Sequence, residues 1–223
     1  PVRREAAEAV AEAIAIGGNA SSVHRLGRLA RRRMEDGRRR VATLVGVEAD
    51  RIVFTGSGTE ANNLALRGAG RERAWVSAIE HPSVLGARPE AERIGVDGAG
   101  VVDLAALARS LAKAGGPALV SLMAANNETG VLQPVAEAAE IAHDFGALMH
   151  CDAVQMAGKM ALDFAALDVD YLTLSAHKLG GPQGVGALVM DAAAPLEPIL
   201  FGGAQERGLR AGTENVAAIA GFG

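Results

Sequence analysis

Short, continuous apolar runs alternate along this chain with stretches of helical periodicity, and polar or glycine-rich clusters stand where the apolar runs end. The runs are Arg51 to Phe54, Trp75 to Ile79, Arg93 to Val96, Ala118 to Met123, Leu148 to Cys151, Tyr171 to Leu174 and Val185 to Met190. Strands that are apolar throughout are buried on both faces, which happens when helices cover both sides of a mostly parallel sheet. The pattern predicts an α/β fold, a three-layer sandwich with a mostly parallel sheet. There is no internal repeat and no dividing linker, so residues 1–223 read as one domain. Open α/β sheets bind ligands at the carboxyl ends of their strands, so the clusters at those ends are the candidate site.

Helices are expected over residues 1–16, ended by Gly17-Gly18, and over His24 to Leu44. Others are expected within Thr55 to Leu64, where a glycine loop opens a helix, over Ser83 to Glu92, after an Asp103 cap, over Val135 to Phe145 and near Phe164 to Leu167. The arginines of the second helix (Arg31 to Arg33 and Arg38 to Arg40) read as a solvated face paired with Glu35 and Asp36. Both ends read as cut. Pro1 leads directly into a helical pattern, and Gly212 to Gly223 read as a helix only just begun, capped by Thr213 or its neighbours.

Composition narrows the function classes. The 223 residues carry a net charge of −4, which argues against nucleic acid as the main partner. No apolar run is long enough to span a bilayer, and the arginine-rich start lacks an apolar signal core. A single cysteine forbids an intrachain disulfide and fits a reducing cytoplasm. No metal site is expected.

Lys178 ends the apolar run Tyr171 to Leu174 by way of Ser175, Ala176 and His177. Burying an ammonium lowers its pKa, which is what a Schiff-base lysine requires. An isolated lysine of this kind would more simply snorkel to solvent. The run Gly56-Ser57-Gly58-Thr59-Glu60 opens a helix, so its free N–H groups and the helix dipole suit an anion. It lacks the lysine of a nucleotide P-loop and the spacing of a dinucleotide fingerprint, which removes a nicotinamide-dependent oxidoreductase from consideration. His81, taken alone, is a structural histidine, and Asn126 and Asn127, taken alone, are turn residues. Asp152 closes an apolar strand, an expensive place for a carboxylate unless it meets a cation or a strong donor. A protonated pyridine nitrogen would satisfy it. Together these groups form the set used by a pyridoxal phosphate enzyme, a Schiff-base lysine with an acidic partner for the pyridinium.

The runs Thr55 to Asn63, Glu80-His81, Asn126 to Val131, His150 to Gln155, Ser175 to Lys178, Gly180 to Gly186 and Arg210 to Asn215 resemble the large domain of the cysteine desulfurases. These are class V aminotransferase-like enzymes of the pyridoxal phosphate fold type I, and the likeness is greatest to their nitrogen-fixation-type branch. The resemblance implies pyridoxal 5'-phosphate bound to Lys178, with Asp152 on the pyridinium nitrogen and His81, the second catalytic residue it implies, stacked on the ring and shuttling protons. It implies that Gln155 and Asn127 contact the phenolic oxygen region, while Gly58, Thr59, Ser175 and His177 hold the phosphate. Thr213 would reach the phosphate of a neighbouring subunit, making a homodimer part of the site, and Arg210 is left without a role. The implied reaction converts L-cysteine to L-alanine. Lys178 takes the α-proton, and the sulfur leaves as an enzyme persulfide for a sulfur-acceptor or scaffold protein, such as those of iron–sulfur cluster assembly.

One departure stands out. Alternation turns Cys151 to the face opposite Asp152, where a buried thiol is inert, so it is read as structural and not as the persulfide carrier. The implied persulfide cysteine lies outside this stretch, so the chain alone is expected to be the inactive cofactor-binding part. The competing readings are a related class V enzyme (a selenocysteine lyase or an aminotransferase) and a non-catalytic dimerising scaffold.

Overall fold

The computed structural model describes residues 1–113 and 115–223. In chain order it contains α1 (Arg4–Ile16), α2 (Arg25–Val45), β1 (Ile52–Thr55), α3 (Gly58–Gly68), β2 (Arg73–Ser77), α4 (Pro82–Leu85) and β3 (Glu92–Ile94). Then follow α5 (Leu104–Leu111), β4 (Ala118–Met123), α6 (Val135–Asp144), β5 (Leu148–Asp152), α7 (Phe164–Leu167), β6 (Tyr171–Ser175), β7 (Gly186–Met190) and α8 (Val216–Phe222). The strands form one sheet in the order β1-β7-β6-β5-β4-β2-β3. The four pairings from β6 to β3 are parallel, and β7 runs antiparallel to both β6 and β1. Strands β1 to β6 therefore all point one way, with β7 reversed among them.

Alternation along the strands builds an apolar core on each face. Ile52, Phe54, Val120, Leu122 and Cys151 join Met34, Val41, Leu107 and Ala138 of helices α2, α5 and α6 on one side. Val53, Val76, Leu119 and Leu188 join Ala61, Leu64 and Ala65 of α3 on the other. This is the expected three-layer sandwich. Among the described residues no helix is long and apolar enough to cross a membrane.

Two expectations are corrected and one is narrowed. The helix expected over Ser83 to Glu92 is the single turn α4, because the chain bends at Gly86 and Pro89 cannot donate to a continuing ladder. Of Thr213 and its neighbours, the cap of α8 is Asn215, whose side chain accepts the Ala218 N–H, which narrows that expectation and removes Thr213 from it. Arg38 is not solvated.

The Arg38 guanidinium is buried and donates to both oxygens of buried Glu206 at 2.6 and 2.7 Å, and to the Ile52 carbonyl at 2.9 Å. It also lies over the Phe54 ring. Burial works against its charge, but Glu206 and then Glu35 outweigh it and hold its pKa above the usual arginine value. Glu206 takes the Phe54 N–H as well, although its φ of 44° and that of Arg207 at 60° are left-handed values that side chains rarely adopt. The ion pair fastens a strained loop to β1. Of the other arginines in the run, Arg39 pairs with Asp36 at the surface, as expected, while Arg33 pairs with Glu12 of α1.

Two predictions follow from these ion pairs. Glu206→Gln strands a buried guanidinium and should cost roughly 3–5 kcal/mol, read from the urea unfolding midpoint. His143, in the last turn of α6, bridges Asp170 at 3.0 Å and Asp168 at 3.4 Å. Partial burial lowers its pKa, but the two aspartates overcome this and raise it. Its stabilising effect is therefore complete below the unfolded value of about 6.5 and is lost as pH rises through the higher folded value. Thermal unfolding of His143→Gln should lack that loss, leaving a flatter melting profile above neutral pH than the parent's.

Candidate active site

Six parallel carboxyl ends and the start of β7 meet at one edge of the sheet. A cavity of about 310 Å³ opens there, on the side covered by α3. Its first wall is the turn from β1 into α3. Ser57 caps the helix by accepting the Glu60 N–H, and Glu60 reaches back to the Gly56 N–H at 2.8 Å, a reciprocal arrangement that leaves the N–H groups of Gly58 and Thr59 without helical acceptors. Strand β7 passes so close beneath that a Cβ on Gly186 would lie 2.4 Å from the Ser57 carbonyl carbon. Only glycine permits this approach. Gly186 also pairs with Ser175 on β6, so it brings the helix start beside Ser175, His177 and Lys178. Ser175 Oγ and His177 Nδ1 are 2.9 Å apart. The His177 pKa is lowered by burial first and by Lys178 second, which favours its neutral form.

Lys178 does not end a buried strand as expected. It sits on a 3-10 turn after β6 with its side chain exposed, and it lines the cavity because that turn lies at the rim.

The floor is Asp152, which is 5% exposed. Its Oδ2 accepts Asn62 Nδ2 at 2.7 Å, and its Oδ1 accepts the Val154 N–H at 3.0 Å. Burial pushes its pKa above the usual carboxylate range, and these two donors offset that only in part. Such a carboxyl gains from a cationic partner. Glu80 lies buried nearby and accepts from Ser77 Oγ and the Met123 N–H, with its other oxygen unpartnered. Burial, and then the charge of Asp152, push its pKa to about 8, so it is a neutral acid at pH 7.

His81, Asn127 and Gln155 complete the lining. Asn126, by contrast, is a turn residue: its Oδ1 accepts the N–H groups of Glu128 and Thr129, and its Nδ2 donates to the Ile79 carbonyl. Of the residues singled out in the sequence, Gly58, Thr59, His81, Asn127, Asp152, Gln155, Ser175, His177 and Lys178 come together here, and Thr213 does not. Thr213 lines a separate cavity with Glu206 and Arg210. Arg210 grips both oxygens of Glu60, so it steadies the helix start. Asn62 and Ser83 were not assigned from the sequence. The one signal for Asn62 was an amide on the helix face that otherwise supplies Ala61 and Ala65 to the core.

The donor set fits pyridoxal phosphate. Free N–H groups at a helix start suit its phosphate, the buried Asp152 suits its ring nitrogen, and Lys178 lines the same cavity. Among the described residues no group of His, Cys, Asp or Glu gathers as a metal site.

Comparison with known proteins agrees with this geometry. Residues 5–223 match the aminotransferase class-V family, and the chain belongs to that family. Pyridoxal 5'-phosphate is the cofactor of this family and of its cysteine desulfurases. A cysteine desulfurase of Cereibacter sphaeroides is 46% identical over 220 residues, covering 92% of this chain and 56% of that protein. An IscS cysteine desulfurase of Dictyoglomus turgidum is 39% identical, covering all of this chain and 60% of that protein. The structure of a NifS-like protein from Rickettsia africae superposes with a TM-score of 0.94 at 39% identity, covering 99% of this chain and 64% of that one. The chain thus spans little more than half the length of the curated relatives it matches.

The close passage at Gly186 makes a sharp prediction. Gly186→Ala must push the Ser57 to Gly58 backbone outward, and should weaken pyridoxal phosphate binding by about tenfold or more, equivalent to roughly 1.4 kcal/mol. Absorbance titration of the cofactor into both proteins measures it.

Proposed function

We propose that this chain forms the cofactor-binding part of a pyridoxal phosphate-dependent cysteine desulfurase. Such an enzyme converts L-cysteine to L-alanine and passes the sulfur on as a persulfide. The observation that carries this reading is that Lys178 and the buried Asp152 open into one cavity, with a helix-start anion cradle beside them.

Each residue has a part in that reading. Lys178 would hold the cofactor through its side-chain amine and would be the base for the α-proton of the substrate. Asp152 holds the charge of the ring nitrogen, aimed by Asn62 and the Val154 N–H. The bound cofactor supplies an electron sink for the pair released at the substrate α-carbon. Gly58, Thr59, Ser175 and His177 hold the phosphate by N–H and hydroxyl donation. His81 covers the ring, and Asn127 and Gln155 fix its orientation from the rim. Thr213, outside this cavity, serves the matching site of a second copy in a homodimer.

Cys151 takes no part in sulfur transfer. It is fully buried in the core, and burial first, then Asp152 and Glu80, keep its thiol protonated. The persulfide-forming thiolate therefore comes from outside residues 1–223 or from another molecule. Iron–sulfur cluster assembly, suggested by the IscS name of one relative, is the destination proposed for the sulfur, in a reducing cytoplasm that suits a free thiol.

The test is borohydride reduction of the full-length, cofactor-loaded protein, followed by peptide mass mapping. The cofactor mass should appear on the Lys178 peptide. Lys178→Arg should lose it, together with about 10²–10⁴-fold of alanine formation from cysteine. An active enzyme whose reduced cofactor sits elsewhere would overturn the proposal.

A further inference from the structure

A line of hydrogen bonds joins His81 to Asp152 through two side chains that the reading above leaves without a role. Asn62 Nδ2 lies 2.7 Å from Asp152 Oδ2 and 2.8 Å from Ser83 Oγ. Ser83 Oγ lies 2.7 Å from His81 Nδ1, and the Ser83 backbone N–H donates to the same nitrogen at 3.1 Å. Asn62, Ser83 and Asp152 are buried, whereas His81 is exposed to the cavity.

The proton positions along this line follow from its two ends. Asn62 Nδ2 donates to Asp152 Oδ2, so the NH2 of the amide is the group turned toward that carboxyl. The same NH2 faces Ser83 Oγ, which therefore accepts from it. The Ser83 hydroxyl proton is then left to point at His81 Nδ1. A backbone N–H always donates, so Nδ1 receives a second donor from Ser83. With two donors aimed at it, Nδ1 must carry its lone pair. The ring proton of neutral His81 then belongs on Nε2, which has no hydrogen-bond partner among the described residues.

We infer that Ser83 and Asn62 are positioning residues that lock His81 as the Nε2–H tautomer, so that it offers the cavity a hydrogen-bond donor and not a base. This rests on the proposed placement of the cofactor over Asp152 for its functional meaning, but not for its geometry. It leaves proton abstraction to Lys178. It also couples the group assigned to the ring face with the one assigned to the ring nitrogen. Pairing Asp152 with a cation keeps it ionised, which keeps the Asn62 amide and the Ser83 hydroxyl in this orientation.

The test uses the full chain labelled with ¹⁵N-histidine, in two-bond ¹H–¹⁵N correlation spectra recorded before and after addition of pyridoxal phosphate. The chain has five histidines, and His81→Gln assigns the resonance of interest. The expected wild-type pattern is a protonated Nε2 and a bare Nδ1 that shows through-bond coupling to the Ser83 amide. Ser83→Ala removes one of the two donors, so the two nitrogen shifts should move toward each other as the tautomers mix. Ser83→Thr keeps a hydroxyl and should restore the wild-type pattern. A proton found on Nδ1, or a Ser83→Ala spectrum identical to wild type, overturns the inference. The wild-type spectrum decides alone if Ser83→Ala does not fold. Because the cofactor-free spectrum reads the tautomer directly, a failed Lys178 adduct and a failed tautomer lock are separate results.

Discussion

The common direction of six strands is the constraint on which everything else in this molecule depends. Each parallel strand needs a crossover that returns the chain to the same starting edge, so every crossover leaves one carboxyl end and one polar segment at the other edge. His81, Asn127, Asp152 and Lys178 are far apart in sequence and share a cavity only because β2, β4, β5 and β6 end together. The single reversed strand, β7, has a separate effect. It lies between β1 and β6 with its first residue, Gly186, at the shared edge, paired to Thr55 on one side and Ser175 on the other. A side chain there would occupy the space of the Ser57 backbone. The anion cradle and the lysine turn are neighbours because glycine stands between them.

Electrostatics at the floor follow from that convergence. Two carboxyls, Asp152 and Glu80, are buried close together, and both cannot readily ionise in a medium that penalises charge. Glu80 stays neutral at pH 7, with one oxygen engaged by Ser77 and Met123. Asp152 has Asn62 and the Val154 N–H on its two oxygens, and it is the member of the pair that faces the cavity. The site is therefore built around one buried carboxyl whose charged form a cation would favour. A pyridinium nitrogen at the end of a planar ring, anchored by a phosphate at its other side, meets that need, whereas a hydrated metal ion would find too few ligands.

Most of this was legible in the sequence, for identifiable reasons. Strands apolar throughout pointed to the layered sandwich, and polar residues after the strands pointed to Thr59, His81, Asn127, Asp152, Gln155 and Lys178, whereas Ser175 and His177 entered only through the family resemblance; all of these line the cavity. What was not legible involved distance along the chain. Arg38 looked solvated because its neighbours Glu35 and Asp36 offered local partners, and its true partner, Glu206, lies 168 residues away. The turn at α4 was overextended because the apolar pattern of Val84, Leu85 and Ala87 continues past Gly86, although Pro89 forbids the ladder. Lys178 was expected at a buried strand end, but three residues of 3-10 turn carry it to the rim. Asn62 and Ser83 escaped notice because their meaning lies in a hydrogen-bond line between three elements, which no local spacing encodes.

The segment after β7 shows how such long-range bonds are put to use. It contains two buried or half-buried glutamate–arginine clasps, Glu206 with Arg38 and Arg210 with Glu60, and both end on the β1–α3 region. Glu206 accepts the Phe54 N–H in β1, and Glu60 accepts the Gly56 N–H in the loop that follows. Each clasp thus fixes a backbone amide, of Phe54 or Gly56, shortly before the anion cradle while it holds the segment that leads to Thr213. An isolated surface ion pair would contribute little. Here each carboxylate meets a guanidinium and a backbone donor together, which offsets its desolvation and makes the left-handed turn at Glu206 and Arg207 tolerable. The two clasps therefore tie the segment that leads to Thr213 to the strand and loop that carry the cradle.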